Sequence, residues 1–405
     1  MKKIIALLLL VCMMLTALTA CGGNETPNTD NPNNNSEESK GPTSNNDKKF
    51  EPETIPASNI DPRKVVIDYM YKMANLEWTP TQDIDFTSGE NYITDHLIYN
   101  KGVKYNGIMY VTGNHCLSNY DAFAKQLNEN NEYIGPIERK TAWGNHCSSA
   151  IRVSYDQVED GLKFGSTPGM VPSKKMGTLI VGDYKVEDSF TTTDEIIELN
   201  NILVMSEAYA QLQPGDCILT CWGPTGHARM VLEVKLEKSA AGKINTSRSG
   251  VVCIEQTSSF DKQRKDDVKT TWYVEHFYSF SELYEAKYVP LTIKTLQNIE
   301  KKDTTFTTKS LNTADNITSG RLKGIVRSSF LEIESATIEI IDKNGNVIVT
   351  DTIVNTNKDR LAFQFNNQKG PDELTTLAAG DYTYVVTANT TYGSAKVAMV
   401  DFSVN

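Results

Sequence analysis

The spacing of apolar residues predicts a series of amphipathic helices in the N-terminal two thirds of the chain. The first follows Asp61-Pro62, which offers a cap and a first-turn proline, and its apolar positions recur at steps of three and four residues. Thr192 and Glu195 stand at capping-box spacing before a longer pattern of the same kind. Helices are therefore predicted at residues 62–76, 120–127, 148–158, 194–212 and 281–286.

The period of the pattern changes to two after the turn Gln213-Pro214-Gly215-Asp216. Alternating apolar and polar positions are typical of strands with one buried face. A segment further upstream, residues 107–111, has the composition of a short strand or turn. Strands are predicted in this region at residues 217–222, 227–236, 251–257 and 288–295.

The C-terminal part of the chain has an all-β pattern. A polar linker is predicted at residues 296–309, and turn signals such as Asn344-Gly345 separate the short alternating runs that follow it. Roughly seven strands in about 100 residues are typical of an immunoglobulin-like sandwich. No catalytic constellation is evident there, so a spacer or wall-binding module is the expected role. The runs lie at residues 322–326, 336–342, 347–354, 362–365, 382–388 and 395–402.

The N-terminus has the layout of a secretory signal. Lys2 and Lys3 precede an apolar run at residues 4–18, and Leu18-Thr19-Ala20-Cys21 closes it. The run is shorter than the roughly 20 residues that a membrane span needs. Its end resembles the bacterial lipobox, in which cleavage leaves the cysteine as a lipid-bearing first residue. That resemblance implies lipidation of Cys21 and a location on the outer face of the cell membrane.

The polar tract after Cys21 has almost no large apolar residues, and such composition cannot bury enough surface to offset chain entropy. We therefore expect it to be a disordered tether. The predicted organisation is a signal peptide at 1–21, a disordered linker at 22–57, an α+β domain at 58–298 and an immunoglobulin-like β-sandwich domain at 305–405.

Charge and cysteine content exclude some classes of function. The chain has 40 basic and 51 acidic residues, a net charge of −11, and no basic patch interleaved with aromatics, so nucleic acid is not an expected partner. No zinc-type cysteine spacing or phosphate-binding loop is present, and we expect no metal or cofactor. An odd number of cysteines follows Cys21, so at least one is free or pairs between chains: Cys116, Cys147, Cys217, Cys221 and Cys253.

Cys147 is the candidate nucleophile. It follows a loop, Trp143-Gly144-Asn145-His146, and stands at the start of a predicted helix. Helix amino termini favour anions and lower the pKa of a cysteine thiol. Cys116 ends a second Gly-Asn-His-Cys string and is the rival nucleophile. It precedes Ser118, the expected cap of the next helix, so it lies before that helix rather than at its start.

His227 is the candidate general base. It opens an alternating strand whose apolar positions would face the core, which leaves the imidazole on the opposite face. His146 adjoins Cys147, but neighbouring residues do not face one another across a helix start, so it is not expected to serve. On the next strand Glu255 or Gln256 could orient the imidazole, and the period of two allows only one of them to do so. Glu255 is favoured.

These residues, in this order, resemble the papain-like NlpC-type and CHAP cell-wall hydrolases over roughly residues 60–295. Asn145-His146-Cys147-Ser148-Ser149 is similar to their Asp-Cys-Ser-Gly motif, with His146 in place of Asp and Ser149 in place of Gly. Gly107-Ile108-Met109-Tyr110 is similar to their Gly-x-Pro-Tyr segment, with Met109 in place of Pro.

The resemblance implies an α+β papain-like domain that hydrolyses amide bonds in peptidoglycan peptides. Cys147 would attack the carbonyl, His227 would transfer protons, and Glu255 would complete a triad. Candidate groove walls, which could equally belong to the core, are Tyr110, Trp143 and Trp222. The alternatives are an inactive papain-like domain that binds a wall fragment or peptide, and a surface adhesion or binding lipoprotein in which the β-sandwich domain makes the contacts.

Overall fold

The computed structural model describes residues 50–264, 268–299, 303–357 and 359–405. Residues 50–405 form one compact unit, a mixed α/β protein with extensive β-sheet. The predicted signal peptide, Cys21 and most of the predicted linker lie outside the described residues. Within the described ranges, no helix is both long and apolar enough to cross a bilayer.

The helices are short, and most of them precede or join strands. Single 3₁₀ turns lie at Ala57–Asn59, Gly89–Asn91, Pro172–Lys174 and Asp372–Thr375. The α-helices are α1 (Pro62–Ala74), α2 (Tyr120–Ala124), α3 (Cys147–Tyr155), α4 (Thr167–Met170), α5 (Thr193–Leu199), α6 (Ile202–Tyr209), α7 (Phe280–Glu285), α8 (Lys294–Gln297) and α9 (Ala314–Thr318).

The strands fall into an N-terminal and a C-terminal set. Those of the first set are β1 (Glu77–Pro80), β2 (Ile84–Asp85), β3 (Ile98–Tyr99), β4 (Tyr105–Asn106), β5 (Glu132–Tyr133), β6 (Thr178–Ile180), β7 (Cys217–Cys221), β8 (Gly226–Lys235), β9 (Gly250–Gln256), β10 (Lys269–Thr270), β11 (Trp272–Ser279) and β12 (Val289–Ile293). Those of the second are β13 (Phe306–Lys309), β14 (Arg321–Leu322), β15 (Ile325–Ser328), β16 (Ser335–Asp342), β17 (Val347–Val354), β18 (Ala362–Gln364), β19 (Gln368–Lys369), β20 (Gly380–Thr390) and β21 (Gly393–Val404).

A six-stranded antiparallel sheet carries the centre of the N-terminal part. Its strand order is β11-β9-β8-β7-β12-β6, and α3 packs against β8 and β9. The register pairs Met230 with Ile254, so Arg229 and Glu255 lie opposite one another at the next position. His227 is two residues from Arg229 and therefore lies on the same face of β8.

Helix α1 is attached to this sheet through a buried ion pair. Asp61 caps the helix by accepting a hydrogen bond from the amide of Arg63 at 3.0 Å. The Arg63 guanidinium donates to Asp216 at 2.9 Å, and Thr292 donates to the same carboxylate oxygen at 2.6 Å. Asp216 is buried, so these donors compensate the cost of removing its charge from water. Together they join α1, the turn before β7, and β12.

A buried aromatic cluster supports the loops between α1 and α3. Trp78 on β1 lies 5.4–5.6 Å, between ring centroids, from the rings of Tyr99, Tyr105, Phe123 and Tyr133. The Trp78 indole also donates to the carbonyl of residue 107 at 2.8 Å. The sequence pattern did not reveal that the aromatic side chains of this segment share one core.

The C-terminal part contains a three-stranded sheet, β13-β15-β18, and a four-stranded sheet, β17-β16-β20-β21. Alternate residues along β16 are buried, as expected for a strand with one core-facing side. Hydrogen bonds join the C-terminal part to the N-terminal part. Arg360 donates to the carbonyl of Asp156 at 2.7 Å, and the Tyr392 hydroxyl donates to Asp68 at 2.9 Å.

Two predicted boundaries need correction. The linker predicted at 22–57 ends earlier, because Ile55 is buried and exchanges backbone hydrogen bonds with Thr304 at 2.9 Å. The polar linker predicted at 296–309 contains part of α8 and the whole of β13, whose polar residues face outward on a strand. Both stretches pair with neighbouring segments through backbone hydrogen bonds, which leave no pattern of apolar residues in the sequence.

Two predicted helical features also differ. The helix predicted at 194–212 is divided into α5 and α6, because the Asn201 side chain accepts from the amides of Leu203 and Val204 and starts a new helix. The cap of α2 is Asn119, which accepts from the amide of Ala122 at 2.8 Å, rather than Ser118. Strand β11 was not predicted, although it becomes an edge of the central sheet.

We predict that Gly144→Ala lowers the free energy of unfolding by about 2 kcal/mol or more, because a Cβ there would overlap the backbone oxygen of Met109 and crowd Val111. Gly165→Ala is the matched control, since its Cβ would meet only the Leu117 side chain at an ordinary 3.7 Å. The free energy of unfolding of this control should stay within about 1 kcal/mol of that of the parent protein. Thermal and denaturant unfolding measure both; equal effects would contradict the steric explanation.

Candidate functional site

The loop before α3 is held by backbone pairing on both sides of Asn145. The amide of Asn145 donates to Met109 and its carbonyl accepts from the amide of Val111, both at 3.0 Å. His146 has extended backbone and α3 begins at Cys147. The Ser149 hydroxyl oxygen accepts from the amide of His146 at 2.8 Å and closes the first turn. The thiol of Cys147 is thereby fixed at the amino end of the helix, 6% exposed.

A buried carboxylate, Glu255, organises the side chains of the adjoining sheet face. It accepts from Nε2 of His227, from Nε of Arg229 at 2.9 Å, and from the hydroxyl of Tyr278. The Arg229 guanidinium lies 3.7 Å from the ring centroid of Tyr278 and 4.5 Å from that of Tyr288. Arg229 is therefore held between two aromatic faces while it pairs with the carboxylate.

The charge states of this pair follow from their contacts. Burial would raise the pKa of Glu255, but the charge and hydrogen bond of His227, together with Arg229 and Tyr278, lower it to about 2. Burial would lower the pKa of His227, but the charges of Glu255 and Cys147 raise it to about 9. At neutral pH the structure therefore favours an imidazolium beside a carboxylate.

Cys147 is poised as a thiolate. Burial by itself would raise its pKa, but the charge of His227 and hydrogen bonds from His146 and His227 lower it to about 5. Because Nε2 of His227 is engaged by Glu255, Nδ1 is the nitrogen left for the sulfur. The structure thus brings together the three residues that the sequence singled out, Cys147, His227 and Glu255.

The exclusion of His146 from the site was wrong. Its Nδ1 lies 3.3 Å from the Ser148 hydroxyl, and its imidazole is within hydrogen-bonding reach of the thiols of both Cys147 and Cys116. These contacts outweigh burial and raise its pKa to about 9. The spacing rule applies to two residues within a helix. His146 precedes the helix in extended backbone, so its side chain can turn back toward the thiol.

The side chains of Gln256 and Glu255 point to opposite faces of β9. The Gln256 side chain is fully buried and donates to the carbonyl of Ile108 at 2.7 Å, where the Trp272 indole also donates at 3.0 Å. Gln256 therefore supports the loop that precedes Tyr110 and does not contact His227. Period-two geometry alone leaves the choice between Glu255 and Gln256 open, and the packing of β8 decides it.

The predicted groove aromatics have three different environments. Tyr110 is half-buried, and burial, together with the charges of Cys147 and other neighbours, raises its pKa. Trp143 stacks on His115 with ring centroids 4.1 Å apart. Trp222 is 54% exposed in the turn between β7 and β8, five residues before His227. Tyr110 pairs with Asn145, two residues before Cys147, and Trp222 is available at the surface.

The remaining thiols separate into two groups. Cys217, Cys221 and Cys253 are buried on strands, and burial raises the pKa of each thiol, to about 12 for Cys217. Cys116 is half-buried and shares His146 with Cys147. All five cysteines of the described residues are free, and no His, Cys, Asp and Glu side chains of that part form a metal-type cluster.

Three contributors to the site were missed by sequence reasoning: His146, Arg229 and Tyr278. Arg229 carried a detectable signal, because it is two residues from His227 and so shares its strand face. Tyr278 is on β11, whose pairing with β9 is not apparent from the local pattern.

We predict that alkylation of Cys147 becomes half-maximal near pH 5, because the thiolate is the reactive form. His227→Ala and His146→Ala each remove a stabilising imidazole, so each should raise that midpoint and slow labelling at acidic pH by about tenfold per unit of pKa change. His96→Ala, an exposed histidine, is the control. Mass spectrometry of labelled peptides measures the rates; faster labelling at Cys116, or indifference to His227, would contradict the assignment.

Comparison with known proteins adds no family. No family model and no curated protein matches the chain. Among solved structures, one described as the tetra-tandem repeat in the extending region of a large adhesion protein is similar to part of it, at 14% identity and a TM-score of 0.21. That match covers 47% of this chain and 41% of the other, so the chain spans less than half of its length. Similarity at this level carries no argument about fold or function.

Proposed function

We propose that this chain is a cell-surface cysteine peptidase or amidase with a papain-like catalytic domain. The observation that carries the proposal is the chain of contacts from Cys147 to His227 to Glu255. A thiol at the start of a helix lies beside an imidazole that a buried carboxylate holds in place. Nucleophile, base and orienting group are the elements that acyl-transfer catalysis by a cysteine requires. The packing of α3 on the antiparallel strands that carry His227 and Glu255 supports the papain-like arrangement.

The proposed reaction begins with attack of the Cys147 thiolate on an amide carbonyl carbon. Negative charge then develops on the carbonyl oxygen, where the backbone N–H of Cys147 and its neighbours in the first turn of α3 can stabilise it. The His227 imidazolium protonates the departing amine as the C–N bond breaks, leaving a thioester on Cys147. His227 next removes a proton from water, which attacks the thioester and releases the acid.

Glu255 supports both halves of this cycle. Its contact with Nε2 of His227 fixes the ring so that Nδ1 is directed to the sulfur and to the departing nitrogen. Arg229 and Tyr278 hold the carboxylate in turn, so the imidazole cannot rotate without breaking a buried network.

The proposed substrates are amide bonds in peptidoglycan peptides. This part rests on the resemblance of the cysteine and tyrosine motifs to cell-wall hydrolases and on the lipobox-like segment ending at Cys21. Lipidation there would hold the catalytic domain at the outer face of the membrane, next to the wall. The C-terminal sheets, proposed to be an immunoglobulin-like sandwich, would act as a spacer or wall-binding module.

We expect incubation with purified peptidoglycan fragments to release peptides that mass spectrometry detects, and Cys147→Ala to release none. The rate constant kcat/KM should rise with pH through about 5 as Cys147 ionises and fall through about 9 as His227 loses its proton. Cleavage that persists in Cys147→Ala would transfer the role to another residue. Absence of cleavage of any fragment by the parent protein would reject peptidoglycan as substrate.

Glu255→Gln should lower kcat by about a hundredfold or more, since it removes the charge that orients His227 and stabilises its protonated form. The alkaline limb of the pH profile should also move to lower pH, because Glu255 raises the pKa of His227. The matched control is Glu233→Gln, an exposed carboxylate on β8, which should leave both unchanged. A Glu255→Gln enzyme with an unchanged alkaline limb would show that the carboxylate has only a structural role.

A further inference from the structure

Cys116 and Cys147 end two copies of the string Gly-Asn-His-Cys, and the two copies lie side by side. The backbone amide of Gly144 donates to the carbonyl of His115 at 3.3 Å, and that of Ser118 donates to the carbonyl of Gly144 at 3.1 Å. Leu117, the residue after Cys116, forms a β-bridge with Asn145, two residues before Cys147. The backbone therefore holds the two cysteines on adjacent, paired segments.

The glycine that opens each string is required sterically. A Cβ at Gly113 would overlap the backbone oxygen of Arg139, and a Cβ at Gly144 would overlap that of Met109. Each glycine lets its segment approach another backbone closely, and each thiol follows three residues later. The two thiols are thus held on packed segments, not on free loops.

One imidazole joins the two thiols. His146 lies within hydrogen-bonding reach of both Cys116 and Cys147, and the charges of both sulfurs act on Tyr110. The hydrolytic cycle uses Cys147 alone and assigns no task to Cys116. A second thiol beside a reactive thiolate, with a histidine between them, is the arrangement expected of a resolving cysteine.

We propose that Cys116 and Cys147 form a site of reversible oxidation, in which a hydroperoxide oxidises Cys147 and Cys116 resolves the product as a disulfide. The proposal rests on the nucleophilic Cys147 of the proposed function. It adds a regulation of that site, because the disulfide removes the nucleophile.

The chemistry balances in two steps. The Cys147 thiolate attacks hydrogen peroxide: an S–O bond forms, the O–O bond breaks, and the departing hydroxide takes the proton of the His146 imidazolium to become water. The sulfur is oxidised to a sulfenic acid and the peroxide is reduced. Cys116 then attacks that sulfur as His146 accepts its proton; the S–S bond forms, the S–O bond breaks, and the hydroxide leaves as water with that proton. Two thiols and one peroxide give one disulfide and two waters.

His146 is suited to the second step. The Cys147 thiolate is one of the groups that hold a proton on its imidazole. Conversion to a neutral sulfenic acid removes that charge, so the pKa of His146 falls and the ring can act as a base toward Cys116. Cys217, Cys221 and Cys253 are buried on strands, so Cys116 is the partner that the fold supplies.

The test treats the reduced full-length chain with equimolar hydrogen peroxide at neutral pH, blocks free thiols by alkylation, and maps the digest by mass spectrometry. We expect the Cys116 and Cys147 peptides to be joined, with the loss of two hydrogens, and a thiol reductant to restore alkylation of Cys147. In Cys116→Ser the crosslink should be absent, Cys147 should stop at sulfenic acid, and a second equivalent of peroxide should carry it to sulfinic acid. Cys221→Ser, which removes a buried thiol on β7, should still form the crosslink.

Oxidation of Cys147 to sulfinic acid without a crosslink, a crosslink to another cysteine, or no oxidation of Cys147 would each overturn the proposal. Mapping of the unaltered chain decides this even if Cys116→Ser fails to fold. The result is independent of hydrolysis. A crosslink in a protein that cleaves no peptidoglycan fragment would reject peptidoglycan as substrate and keep the oxidation site. Cleavage without a crosslink would do the reverse.

Discussion

The buried charge of Glu255 is the constraint on which the site depends. A carboxylate that is 2% exposed would cost several kcal/mol if it were unpaired. His227, Arg229 and Tyr278 supply the compensation from β8 and β11, the two neighbours of β9. The carboxylate keeps His227 protonated, and the protonated ring keeps Cys147 ionised. The low pKa of the Cys147 thiol therefore depends on Glu255, which acts on it through His227.

Strand β9 contacts both the imidazole of His227 and the loop that carries Tyr110, because its successive side chains point to opposite faces. Glu255 faces the imidazole, whereas Gln256 bonds the carbonyl of Ile108 and supports the loop that carries Tyr110. The aromatic cluster around Trp78 supports the same loop, because the Trp78 indole donates a hydrogen bond to the carbonyl of residue 107. The thiol and its surroundings are thus positioned by packing against the sheet and against the aromatic cluster around Trp78.

Two imidazoles on one thiol distinguish this site from a simple triad. His227 is hydrogen-bonded to the buried carboxylate of Glu255. His146 instead connects Cys147 to a second thiol, Cys116, and to Ser148. In the proposed functions, His227 transfers protons during hydrolysis, and His146 links the nucleophile to the resolving cysteine. The repeated Gly-Asn-His-Cys strings supply this second connection.

The sequence by itself determined the elements whose information is local. The periods of the apolar residues predicted α3, β8 and β9, and the helix start favoured a thiolate at Cys147. Strand alternation placed the side chain of His227 on the face opposite the core-facing residues of β8 and made Glu255 a candidate to contact it. Tertiary structure decided the rest, because it depends on contacts between distant segments. Tyr278 reaches Glu255 only because β11 pairs with β9. His146 reaches the thiol only because the backbone before α3 is extended.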